Sequence, residues 1–207
     1  MSYKVDKRTF RFIRLLWCIS KNENYMIQKL LNAKHWQIFI LIFVIPYSLQ
    51  FIAMSISKDS PELMLTFTPI IMIIFFLCFF GWLYSVAIGL QTKTPDSVKM
   101  KIKKFKFLLL IPMIYIPFVF GLMTFITNFI TQSDGSRMAI IILIMLVFHL
   151  LSMFGIFYSF YFTAKTLKTV ELNREVKFSD FAGDFFLFLF FPIGVWIIQP
   201  RVNQITN

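Results

Sequence analysis

The sequence predicts an all-α integral membrane protein of four to five transmembrane helices, and three observations carry that expectation. Of 207 residues, 58% are apolar and only 15% charged, a balance that cannot furnish a water-facing surface for a chain this short. Aromatic residues make up 19%, with 28 Phe, more ring surface than a soluble core of this size can hide. The apolar residues also gather into stretches long enough to cross about 30 Å of hydrocarbon, which takes roughly 20 helical residues rising about 1.5 Å each.

Residues 1–36 form a basic amphipathic region. Lys7, Arg11, Arg14 and Lys21 recur near i+4 and i+7, with Phe10, Ile13, Leu16 and Trp17 on the rest of the wheel, the pattern of a helix lying in the membrane interface. The apolar patch Phe12 to Ile19 contains Arg14 and runs into Ser20, Lys21 and Asn22 without a small-residue cleavage site, which argues against a signal peptide. Spans at about Gln37 to Ser57 and Met64 to Leu90 make a first hairpin over 37–90, followed by a polybasic loop over 91–106. Spans at about Phe107 to Ile130 and Met138 to Ala164 make a second hairpin over 107–164, followed by a loop over 165–180. The final segment, 181–207, carries Asp184, Pro192 and Gly194 in its apolar part and either spans with a kink or re-enters on one side. Each stretch is apolar on all sides without alternation, which favours helices over a barrel. Prolines at 46, 69, 112, 117 and 192 predict kinks.

Lys and Arg collect in the N-terminal region and in the loops 91–106 and 165–180, whereas the other side holds Lys58 and Arg137, with Arg201 added if the fifth segment spans. The positive-inside rule therefore expects a multi-pass protein of the cell inner membrane with its N-terminus in the cytoplasm.

The motif Phe80-Gly81-Trp82-Leu83-Tyr84-Ser85 in the second span matches Phe154-Gly155-Ile156-Phe157-Tyr158-Ser159 in the fourth at four of six positions. Ile45-Pro46-Tyr47 and Ile116-Pro117-Phe118 match more loosely, and Phe191-Pro192-Ile193 keeps two of the features, as if the fifth segment were half of a third unit. Either the chain holds two tandem parallel hairpins related about the membrane normal, or low-complexity apolar sequence repeats by chance.

Two groups of residues are candidates for function. Lys99, Lys101, Lys103, Lys104 and Lys106, with Arg11 and Arg14, would bind an anionic inner leaflet at up to about 1 kcal/mol per cation. The plainer reading is orientation and lipid contact; the same field would also attract a cytoplasmic protein or ribonucleoprotein partner, but no RNA-binding fold surrounds these residues, which argues against direct nucleic-acid binding. Inside or beside the spans, His149, Gln50, Asp184, Gln199, Arg201 and Asn203 are costly in hydrocarbon and so are candidates by default. Each has a plainer reading. His149 can be a neutral imidazole bonded to a neighbouring helix. Gln50, with Tyr84, Ser85, Tyr158, Ser159 and Asn128, can join helices. Ser179-Asp180 can cap the last helix with Asp184 adding charge to its first turn, and Gln199-Pro200-Arg201-Val202-Asn203 can snorkel beside Trp196.

No HExxH, GxSxG or glycine-rich phosphate loop is present, and His35 and His149 lie in different regions, so neither a catalytic set nor a metal or cofactor is expected. Cys18 and Cys78 are read as small hydrophobes. Lys34-His35-Trp36-Gln37, together with Phe178-Ser179-Asp180-Phe181-Ala182-Gly183-Asp184 and the stretch Phe191 to Asn203, resembles a group of small multi-pass membrane proteins of Bacteroidota. In size and span number the chain also resembles the membrane accessory proteins of type VI-B CRISPR systems. That resemblance implies a non-enzymatic modulator that dampens an RNA-targeting effector. A small channel or transporter assembled as a homo-oligomer of hairpins is the competing expectation.

Overall fold

The computed structural model describes residues 21–58, 61–130 and 135–206. Among these there are seven helices and no strand. Helix α1 covers 21–31 and ends in a short turn. Then come α2 (His35–Ile56), α3 (Pro61–Gly89), α4 (Ile102–Ile130) and α5 (Gly135–Leu172). The chain finishes in a helical hairpin, α6 (Phe178–Leu189) and α7 (Phe191–Thr206). Helices α2 to α5 are long and apolar enough to cross a membrane. The protein is an all-α, multi-pass membrane protein.

Two connections are tighter than the charge pattern suggests. A 3-10 turn, Leu90–Lys93, follows α3, and α4 already begins at Ile102, so Lys103, Lys104 and Lys106 stand on its first turns rather than in a loop. Helix α5 continues to Leu172 and α6 starts at Phe178, which leaves five linking residues opened by Asn173 at φ 49°, a left-handed position that asparagine tolerates at a helix C-terminus. Lysine is a good helix former, so a cluster of charges marks a membrane boundary without ending a helix.

The prolines do three different things. Pro69, Pro112 and Pro117 lie inside α3 and α4. Pro46 follows a π-helical turn, Ile40–Val44, in which the Ile45 N–H reaches back to the Ile40 carbonyl; widening the preceding turn is one way to keep a proline ring off the carbonyl of residue i−4. Pro192 sits in the first turn of α7, where its missing N–H costs nothing, just after the chain has broken at Phe190 (φ −95°, ψ 53°).

That break decides the course of the last segment, which re-enters. Phe191 packs on Phe43, Phe75 and Phe79, near the middle of α2 and α3. From there α7 returns to the end it came from: Trp196 contacts His35 and Phe39, and the Lys93 ammonium donates to the Ile205 carbonyl. Helix α7 thus runs opposite to α2 and α4, so the resemblance of Phe191-Pro192-Ile193 to the first and third spans does not extend to direction. The turn is made possible by Gly194, where an added Cβ would lie 1.8 Å from the Leu187 carbonyl oxygen.

Packing is concentrated in the lysine-rich half of the bundle. Ile27, Leu31, Trp82, Val86, Leu90, Phe105, Leu167, Phe181, Phe188, Ile198 and Val202 form one buried cluster there. In the other half, the residues from Leu146 to Leu151 are exposed around the whole circumference of α5. Only hydrocarbon makes such a surface stable.

Candidate functional site

The densest polar arrangement lies where the C-terminal hairpin leaves the bundle. Residues 199 and 203 are one turn apart on α7 and share a face, while residue 201 points to the opposite side. The helix therefore offers an amide face to α1 and a guanidinium to α5 and α6.

On the guanidinium side, Arg201 Nε and Nη2 donate to the two oxygens of Glu171 on α5 at 2.6 and 2.7 Å. Its Nη1 and Nη2 donate to Asp184 on α6 at 2.5 and 3.1 Å. Lys168 closes the group, 3.2 Å from Glu171 and 4.0 Å from Asp184. Two cations and two carboxylates thus neutralise one another, with the Asp184 side chain only 8% exposed. The planar fork of arginine can meet two carboxylates with paired, directed hydrogen bonds, a geometry that an ammonium lacks. Asp184 therefore serves this cluster rather than the dipole of α6. The N-terminus of α6 is held by Asp180, which accepts from the Lys177 N–H at 3.0 Å and from Arg174 at 3.2 Å. That amide and then that guanidinium keep the Asp180 carboxyl below its ordinary range.

On the amide side, Gln199 is fully buried. Its Oε1 accepts from Trp82 Nε1 of α3 at 2.8 Å. Its Nε2 faces the carbonyls of Leu30, Leu31 and Ala33 at 3.1, 3.0 and 2.8 Å. Asn203 Nδ2 adds contacts to the Leu31 and Ala33 carbonyls at 2.7 and 3.1 Å. The last carbonyls of a helix have no partner within it; here two side chains from the far end of the sequence supply what α1 lacks.

Four of the six intramembrane candidates, Asp184, Gln199, Arg201 and Asn203, thus meet at the base of one hairpin. The other two lie elsewhere. Gln50 joins α2 to α3 through Thr68 at 3.1 Å. His149 is exposed on α5, with the Tyr115 ring centroid 6.0 Å from its own, instead of being buried between helices. Ser85 and Ser159 bond to their own helices, donating to Gly81 and Gly155 at 2.8 and 2.7 Å. The Asn128 side chain, Arg11 and Arg14 lie outside the described residues. Glu171, Lys168 and Trp82 complete the site and were not singled out as candidates. The spacing of Lys168 and Glu171, i and i+3 at a helix exit, reads as an ordinary surface pair.

The lysine group stands apart. Lys99, Lys101, Lys103, Lys104 and Lys106 are all exposed. Lys104 lies over the Tyr158 ring at 5.1 Å and Lys106 over the Tyr84 ring at 5.3 Å, so the tyrosines of the two matching motifs each receive a cation from α4. Lys106 is 3.7 Å from Glu23, and Glu23 accepts from the Tyr84 hydroxyl at 2.6 Å. Among the described residues no three His, Cys, Asp or Glu lie together in a way that could hold a metal ion.

Fold and site together define a helical, multi-pass membrane protein with a re-entrant hairpin pinned by a neutralised charge cluster. No family model matches the chain, and no curated protein or solved structure matches it either.

Proposed function

We propose that this protein is a non-enzymatic accessory of the cell inner membrane whose lysine-rich end faces the cytoplasm and engages an acidic partner there. The observation that carries the reading is the exposed run of Lys99, Lys101, Lys103, Lys104 and Lys106, for which the one ion pair among the described residues is that of Lys106 with Glu23. Three of these cations stand at the start of α4, whose first turn holds no acidic residue. Cations there oppose the helix dipole at about 0.3–1 kcal/mol each, a cost that an anionic neighbour offsets. The cluster around Arg201, by contrast, consumes its own charges and holds the hairpin in place. The resemblance to accessory proteins of type VI-B CRISPR systems makes an RNA-guided effector ribonucleoprotein the first partner to test, with dampening of its activity as the expected effect. Co-purification of that effector with the full chain from membranes should be lost when Lys99, Lys101, Lys103 and Lys104 are all changed to Glu; retention refutes this contact surface.

One observation favours a second reading. A re-entrant hairpin is also a device of transporters, here with its charged residues at the base. Solute flux in proteoliposomes that depends on Asp184 would support a channel or transporter, and sealed vesicles would remove it.

A further inference from the structure

Between α1, α3 and α4 lies a cleft of about 380 Å³ lined by Glu23, Phe80, Gly81, Tyr84, Lys106 and Leu110, within the range of small-ligand sites, roughly 300–1,000 Å³. Its polarity is graded along the helices. Glu23, Tyr84 and Lys106 form one end, and the walls beyond are apolar. From Lys106 to Met113 the wall descends about 10 Å at about 1.5 Å per residue. The polar end is the lysine-rich end of the bundle, so the cleft points the same way as a lipid of that leaflet. Among the described residues its wall at Gly81 is open, since a Cβ placed there would meet no heavy atom within 4 Å.

We infer that this cleft binds one phospholipid with a phosphoethanolamine headgroup, its phosphate on Lys106, its ammonium on Glu23 and an acyl chain along Phe80, Gly81 and Leu110. Charge decides the headgroup. Among the described residues the mouth holds an ion pair, Lys106 and Glu23 3.7 Å apart, with Glu23 also accepting from Tyr84, so it presents both signs of charge and no net charge. A zwitterion complements both charges, whereas an anionic lipid would take Lys106 with its phosphate and leave the Glu23 carboxylate without a cation. The site goes beyond the partner reading: Lys106 belongs to both, but the fourfold Glu variant that tests the partner leaves Lys106 in place, so the two readings fail separately.

The test is native mass spectrometry of the full chain in detergent with added phosphatidylethanolamine or phosphatidylglycerol. One phosphatidylethanolamine should be retained. Lys106→Gln should lower its occupancy about tenfold, as expected for losing one charge-assisted contact. Gly81→Leu should lower it by filling the wall while leaving the charges and the thermal unfolding midpoint unchanged. Glu23→Gln should shift preference toward phosphatidylglycerol. Equal retention of both lipids by the wild type, or unchanged phosphatidylethanolamine retention in a folded Gly81→Leu variant, overturns the proposal.

Discussion

At Arg201 a single side chain ties three helices, because its guanidinium is shared between Glu171 on α5 and Asp184 on α6. Removing one member of a buried ionic group leaves the others uncompensated at about 3–5 kcal/mol, an upper bound here because only Asp184 is buried and Arg201 and Glu171 are partly exposed. Arg201→Met should therefore lower the thermal midpoint in detergent sharply. Arg201→Lys should recover only part of the loss, since an ammonium cannot hold two carboxylates in the same fork; full recovery by Lys would show that charge alone suffices. Half of this site could be read beforehand. Gln199 to Asn203 stands out as a dense polar run at a helix end, but residues that complete it sit 30 and 117 positions away, and pairing at such distances leaves no trace in local spacing.

Among the elements, the long helices were legible because hydropathy and length alone select them. The hairpin was not, because a segment of about 18 apolar residues interrupted by Pro and Gly fits a kinked crossing as well as a return. What separates the two is the close approach at Gly194. Gly194→Ala should disrupt the fold, since the methyl would run into the Leu187 backbone, whereas Gly81→Ala, with open space at its Cβ, should be tolerated. Detergent-stable yield and the circular dichroism of the two variants make the comparison. The start of the hairpin also carries a pH signature. The Asp180 carboxyl is held below its ordinary value by the Lys177 N–H and by Arg174, so its contribution to stability is complete above that ordinary value and disappears as pH falls through the depressed one. Helix content of the hairpin, followed by amide exchange, should be flat near neutrality and fall in acid, and Asp180→Asn should blunt the acid limb.

For the molecule as a whole, re-entry predicts that the two ends of the last segment share a side. Cysteines placed singly at Lys93 and Thr206 should react with an impermeant maleimide from the same face of sealed vesicles, and one at Lys58 from the other. Labelling of Thr206→Cys together with Lys58→Cys would mean that the segment crosses. The hairpin also imposes an order on biogenesis. The amide that completes α1 comes from Gln199, 166 residues after the Ala33 carbonyl it meets, and at about 5–20 residues per second a translating ribosome needs roughly ten to thirty seconds to deliver it. Until then the opening helix is a tenant without a lock, and whatever membrane machinery escorts the nascent chain has to shelter that helix until the closing segment folds back on it.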